Sequence, residues 1–580
     1  MEDFVKALDN YVPPSNKGEK GHSQYAWANP EETPLFSSKK EKQSFSYFEE
    51  SITQITFQVV RDSTTVINKY KETMRLLKDH CTEWPEDGYD KLLIIMFKIC
   101  AHTRDIVNGK GECALAYSML MVINKFYPKV GAIIFKSFVL LEVHGESVHP
   151  YGSWKDVKKI CDLYKNKFKI PNDQIGVKLK FIIRLLNDQL RIDEINLREG
   201  NEVSLVGKWI PREKSMHGWL FQPLAFDYFA PSILPETLTQ KSANYCKMKY
   251  RQLLSALNKK LNTTQVKQCA NDWETIDPSH VTSVTMFKNK KAFLNLTKKG
   301  AVRSNTDDRK NCASNFEAFL DKAVKGEVTV KGKRIGLNDF TKQALDCLTP
   351  REVQMLNLQW KDNSTQNGSL ENMVPLVDVS GSMAGDPLHA AIALGIRIAE
   401  KSRLGKRMIT FSEEPEWINL EGIDGFVDMV KRTKNAKWGI TTSFHKALQL
   451  MLTIIVQLKM PADKVKQITL VILSDMMIDA ADKNYDSMYD MIKKMYEQAG
   501  ISAVGVPYEV PHILFWNLRS TNGFPNLAKQ ANTTMLSGFS PVLLNLFCEK
   551  GVEGLEGYTP WSMLVESLQH PRYNILNNVL

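Results

Sequence analysis

The chain has 580 residues, 43% of them hydrophobic, enough to fill two or more cores, which excludes a largely disordered protein. Its net charge of +10, from 75 basic and 65 acidic residues, permits an anionic partner without requiring one. Nine cysteines stand singly with no C-x-x-C pair, which fits neither a disulfide framework nor a thiolate zinc site and points to a reducing compartment.

In chain order, residues 1–45 are rich in Pro, Ser, Lys, Glu and Asn and poor in aliphatics, so they cannot bury enough surface to offset the entropy of ordering. A mobile arm is expected. The opening holds no apolar stretch of signal-peptide length. The run "VGAIIFKSFVLLEV" carries a lysine and falls short of the roughly 20 residues of a membrane span, so a soluble, intracellular protein is expected, with no membrane partner.

From 46 to 360 apolar residues recur at helical spacing, as in "YDKLLIIMFKICAHTRDI" and "VKLKFIIRLLNDQL", with short Gly, Pro or Asn breaks. The pattern predicts stacked helix pairs in the manner of an α-solenoid, without a strict repeat period. Residues 361–371, "KDNSTQNGSLE", read as a polar linker. From 372 to 580 short apolar strands such as "MVPLVDV", "RMITFS" and "ITLVILSD" alternate with amphipathic helices, which predicts a doubly wound, Rossmann-like α/β domain with a parallel sheet.

In such a sheet ligands bind beyond the carboxyl ends of the strands. "LVDVSGSMAG" ends a strand on Asp378 and at once presents Ser380 and Ser382, with Gly381 between them to let the backbone turn. "ITLVILSD" ends on Asp475, and "KWGITTSFHKAL" places Thr441 and Thr442 ahead of a helix. These are hard oxygen donors with no sulfur or imidazole among them, a set suited to Mg2+ or another hard divalent cation. The plainer alternative is a Gly/Ser turn with two strand-end aspartates that cap helices. A serine nucleophile does not fit, because the G-x-S-x-G spacing is absent around Ser382.

Taken together, D-x-S-x-S, a later Thr and a strand-end Asp resemble the metal-ion-dependent adhesion site of von Willebrand factor type A domains. The resemblance assigns Asp378, Ser380, Ser382 and Asp475 as ligands of Mg2+ (or Mn2+ or Ca2+), with Thr442 as the threonine and Thr441 as its competitor. It also implies an open metal position for an acidic residue of a protein partner.

Other features are weaker. "RDIVNGKGECALAY" lacks the spacing of a phosphate loop, yet Arg104 and Lys110 are candidate phosphate contacts unless the turn is simply solvated. On "KMKYRQLLSALNKKLN", Lys247, Lys249 and Arg251 form a basic stripe that fits RNA or an ordinary solvated face. The dispersed histidines support no zinc hydrolase.

The segments "AHTRDIVNGKGE", "YGSWKDV", "KWIPREKS", "YRQLLSALNKKLN" and "NDWETIDPSHVTS", together with "VDVSGSM" and "KWGITTSF", resemble a domain-of-unknown-function family of plants, fungi, bacteria and large DNA viruses. A virion is a further expected location if the source is such a virus. The architecture is similar to the TROVE proteins of the Ro ribonucleoprotein, which implies a helical surface for structured RNA. Two functions follow as expectations: a non-enzymatic interaction protein with a Mg2+-dependent site, or an RNA-binding ribonucleoprotein component. A metal-dependent hydrolase ranks last, since no general base or nucleophile accompanies the site.

Overall fold

The computed structural model describes residues 15–17, 23–28, 45–61, 63–230, 239–346, 348–370, 372–411, 414–435, 444–477, 488–521, 523–550 and 553–580. They form two compact units, one made of Met1–Val130 with Thr329–Leu580 and the other of Gly131–Val328.

The first unit begins with strands β1 (Ser15–Lys17) and β2 (Ser23–Tyr25), which pair antiparallel. Part of the expected mobile arm is therefore held. Tyr25 is buried, bonds through its backbone to Phe524, and is followed by Trp27, whose ring lies 5.0 Å from that of Phe524. Composition does not register these two aromatics, nor the buried Gln54 side chain, which donates to Ala26 O at 3.0 Å and accepts from Ala28 N–H at 2.7 Å.

Four helices follow: α1 (Phe45–Phe57), α2 (Thr64–Glu83), α3 (Tyr89–Arg104) and α4 (Ala114–Phe126). The Ser63 hydroxyl caps α2 by accepting from Val66 N–H at 3.3 Å. α3 buries Leu92, Leu93, Met96, Phe97, Ile99 and Cys100, a nearly all-round apolar surface that requires neighbours on several sides.

In the second unit a β3–β4 hairpin (Leu141–Val143, Glu146–Val148) precedes α5 (Trp154–Phe168), α6 (Lys180–Glu199), α7 (Phe221–Phe229), α8 (Gln240–Leu261), α9 (Ser283–Phe293) and α10 (Asp307–Val324). A capping box between Ser153 and Asp156 starts α5. Buried Asn187 ties three of these helices together: it donates to Leu224 O at 3.0 Å and accepts from Tyr250 Oη at 3.0 Å.

The chain then returns to the first unit through α11 (Leu337–Ala344) and α12 (Pro350–Ser364). The expected linker is not free. α12 runs through its first residues, and Asn363 and Asn367 are buried around Arg397, accepting from its guanidinium at 2.8 Å each. Its asparagines read as solvent-facing, but they satisfy a buried cation.

The sheet has six strands in the order β10–β9–β8–β5–β6–β7, with β5 Met373–Asp378, β6 Arg407–Phe411, β7 Glu416–Asn419, β8 Thr469–Ser474, β9 His512–Asn517 and β10 Thr533–Ser537. All neighbours are parallel except β7, antiparallel at one edge. β5, β8 and β9 are buried along their whole length, as near-continuous apolar runs demand.

Helix α13 (Asp386–Lys401) covers one face, where a Cβ on Gly395 would stand 2.6 Å from Val377 Cγ2, so only glycine lets the helix lie so close. The other face carries Leu376, Ile409 and Ile472 in a core with α15 (Phe444–Gln457) and α16 (Met488–Val504); α14 (Phe426–Lys434) lies between α13 and α15 in the chain.

The first four helices belong with this sheet. Ser537 Oγ donates to Thr56 O at 2.8 Å and Asn517 Nδ2 to Phe57 O at 3.1 Å, so the last residues of β10 and β9 grip the end of α1. The change of sequence texture at 361–371 is thus not where the packing divides. Periodicity shows which face of a helix is apolar, and is silent on what covers it.

No helix among the described residues is long and apolar enough to cross a membrane, and the eight described cysteines are free thiols.

Candidate functional site

From β5 the chain moves out to β6 and β7, then returns to β8 on the other flank of β5. The carboxyl ends of β5 and β8 therefore border the topological switch point, where open α/β sheets leave a crevice. Asp378 closes β5, Ser474 closes β8, and Asp475 is the next residue. The register Val377↔Leu473 brings these ends side by side.

The backbone then turns tightly. Ser380 N–H donates to Asp378 Oδ1 at 2.9 Å, and Gly381–Met383 form a single 3-10 turn. The left-handed glycine of this loop is Gly385, at φ 94°, not Gly381. On the β8 side Met476 takes a left-handed φ of 61°, and Met477 N–H donates to Asp475 Oδ1 at 3.0 Å. Both aspartates are thus fixed by short local hydrogen bonds.

Asp378, Ser380, Ser474 and Asp475 are buried, and Ser382 is half-buried. The Ser380 and Ser382 hydroxyl oxygens lie 3.0 Å apart. Burial first, then the negative charge of Asp475, push the Asp378 carboxyl up to about 6, against the hydrogen bonds of Ser474 and Ser380 that favour its ionised form. Two carboxylates close enough to repel, beside a pair of hydroxyls, form a donor set that fits a hard cation. Among the described residues, no three or more His, Cys, Asp or Glu gather in a metal-ligating group.

The structure thus brings together Asp378, Ser380, Ser382 and Asp475. Thr441 and Thr442 lie outside the described residues. Two participants were not singled out from sequence. Ser474 donates to Asp378 Oδ2 at 2.6 Å, and Arg519 donates to Ser382 O at 2.5 Å. Ser474 was legible in principle as the polar residue ahead of a strand-end Asp; Arg519 gave no signal.

Of the five basic candidates, Arg104 and Lys110 belong to the first unit and Lys247, Lys249 and Arg251 to the second. Arg104 is buried at the end of α3. Lys110 is also buried, and its ammonium donates to Ser537 Oγ at 2.5 Å, Thr56 O at 2.6 Å and Val59 O at 3.4 Å. It is a structural brace rather than an exposed phosphate contact, because the turn that carries it packs against α1 and β10. On α8, Lys247 and Arg251 share Glu213 at 3.6 and 2.6 Å, while half-exposed Lys249 lies 5.7 Å from the Tyr245 ring.

Residues 372–566 match the family described as Domain of unknown function (DUF7788), and residues 175–370 match Domain of unknown function (DUF2828). The chain is 29% identical over 501 residues to "Uncharacterized protein L728" of Acanthamoeba polyphaga mimivirus, covering 84% of this chain and 80% of that protein. These matches support the expected likeness to a domain-of-unknown-function family, in the helical and the α/β segments alike.

Proposed function

We propose that the chain is a non-enzymatic interaction protein whose α/β part is a von Willebrand factor type A-like domain, holding Mg2+ (or Mn2+ or Ca2+) between Asp378, Ser380, Ser382 and Asp475. What supports this reading is the burial of two repelling carboxylates at adjacent strand ends, beside serine hydroxyls 3.0 Å apart. A bound cation would supply an electrophilic open position for an acidic group of a protein partner. Asp378 and Asp475 neutralise the cation, Ser380 and Ser382 add uncharged donors, and Ser474 holds Asp378 in place.

Capture of partners by the tagged full chain, with and without chelator, tests this. A partner retained with Mg2+, released by chelator and lost with Ser382→Ala supports the reading. A partner set indifferent to both treatments contradicts it.

A further inference from the structure

Two segments that carry the family resemblance, Tyr151–Val157 and Lys208–Ser215, meet on the second unit although they are far apart in sequence. Lys158, on α5, lies 4.8 Å from the centre of the Trp209 ring, Lys155 lies 5.8 Å away and Lys208 5.7 Å away. Near the end of the same helix Lys165 lies 5.0 Å from the Trp219 ring. Trp209 and Trp219 are half-exposed, and Lys155 and Lys159 are exposed.

Among the described residues, Lys155, Lys158, Lys159 and Lys165 make no ion pair with a carboxylate, unlike Lys247 and Arg251 with their shared Glu213. Burial, followed by the like charges of Lys155 and Lys159, holds the Lys158 ammonium below its ordinary range. Like charges three and four residues apart on a helix repel, and an arriving anion relieves that repulsion.

We propose that this surface binds a single-stranded polynucleotide, with bases stacking on Trp209 and Trp219 and phosphates neutralised by Lys155, Lys158, Lys159 and Lys165. The rings select this partner. A base presents a π-face to an indole whatever its sequence, whereas an acidic peptide engages only the charges and a duplex keeps its base faces stacked inside. A lysine resting on a ring moves to a phosphate as a base takes its place. None of these residues belongs to the proposed cation site, so binding is expected to persist in the Asp378→Ala chain.

The test uses the full chain with labelled single strands of about 12 nucleotides, oligo-U RNA and oligo-dT DNA in separate arms, followed by fluorescence anisotropy across a salt series. Saturable binding that weakens with salt is expected, and the two arms show whether the source is RNA, DNA or both. Combined Lys155→Gln, Lys158→Gln and Lys159→Gln lowers the magnitude of the log–log salt slope by about 2. Trp219→Ala weakens binding about tenfold with little change in slope, and Trp209→Phe, which keeps a ring, retains most of the affinity. Circular dichroism confirms that each variant folds. No saturable binding in either arm overturns the proposal, as does unchanged affinity in the lysine variant. Equal competition by polyglutamate with no effect of the Trp variants overturns it in favour of an acidic protein.

Discussion

Ser474 donates a hydrogen bond of 2.6 Å to Asp378 Oδ2, joining the ends of two central parallel strands at the point where the chain reverses direction across the sheet. The bond favours the ionised carboxylate, the form a cation needs, in a place where burial opposes it. Ser474→Ala is therefore expected to weaken Mg2+ binding about tenfold at pH 7, as loss of a partner to a metal ligand commonly does. Titration calorimetry checks this; unchanged affinity would show that Asp378 is oriented by other means.

Asp105 and Arg572 form a second long-range pair, 467 residues apart in sequence. The guanidinium donates to the carboxylate at 2.9 and 3.1 Å, Tyr573 Oη adds a bond at 3.1 Å, and both partners of the ion pair are buried. Arg572→Met would leave a buried charge without its main partner, at a cost of about 3–5 kcal/mol. A large fall in thermal midpoint is expected, with a smaller fall in Arg572→Met/Asp105→Asn, which removes both charges. Equal losses in the single and double variants would contradict the pairing.

These contacts mark what the sequence left unreadable. The α/β part was legible because its strands are near-continuous apolar runs and its helices amphipathic, and because Asp378 and Asp475 are charges placed where such runs stop. The packing of α1–α4 with that sheet was not, since Phe57 enters the sheet's apolar core and Asn517 reaches the end of α1 from 460 residues away, pairings that no local pattern encodes. Lys110 misled for the same reason. A Gly-Lys-Gly turn looks solvated until the elements that bury it are known. The convergence of Lys158 with Trp209 was hidden because neither segment is periodic with the other.

Burial pushes the Lys110 ammonium down to about 7. A base whose pKa is lower folded than unfolded destabilises the fold. The full penalty acts below pH 7, and it fades as pH rises from about 7 towards the unfolded value near 10.4, because only the unfolded chain then binds the proton. Wild type is thus expected to gain a few kcal/mol relative to Lys110→Met over that interval. Denaturation of both chains at several pH values checks the difference, and parallel pH profiles would refute it.

At Gly395 an added Cβ would meet Val377 Cγ2 at 2.6 Å, one residue before Asp378. Gly395→Ala should destabilise the protein by about 1–3 kcal/mol through overpacking, despite alanine's better helix propensity. Urea denaturation reads this directly. A more stable variant would mean that α13 can shift outward freely.

The central question is whether the carboxyl ends of β5 and β8 take up a divalent cation. Titration calorimetry of the full chain with Mg2+ alone, beside Asp378→Ala and Ser382→Ala chains shown to be folded by circular dichroism, decides it. One saturable site in wild type, abolished by Asp378→Ala and weakened by Ser382→Ala, is the predicted result. No saturable site in wild type, or the same affinity in folded Asp378→Ala, would contradict it.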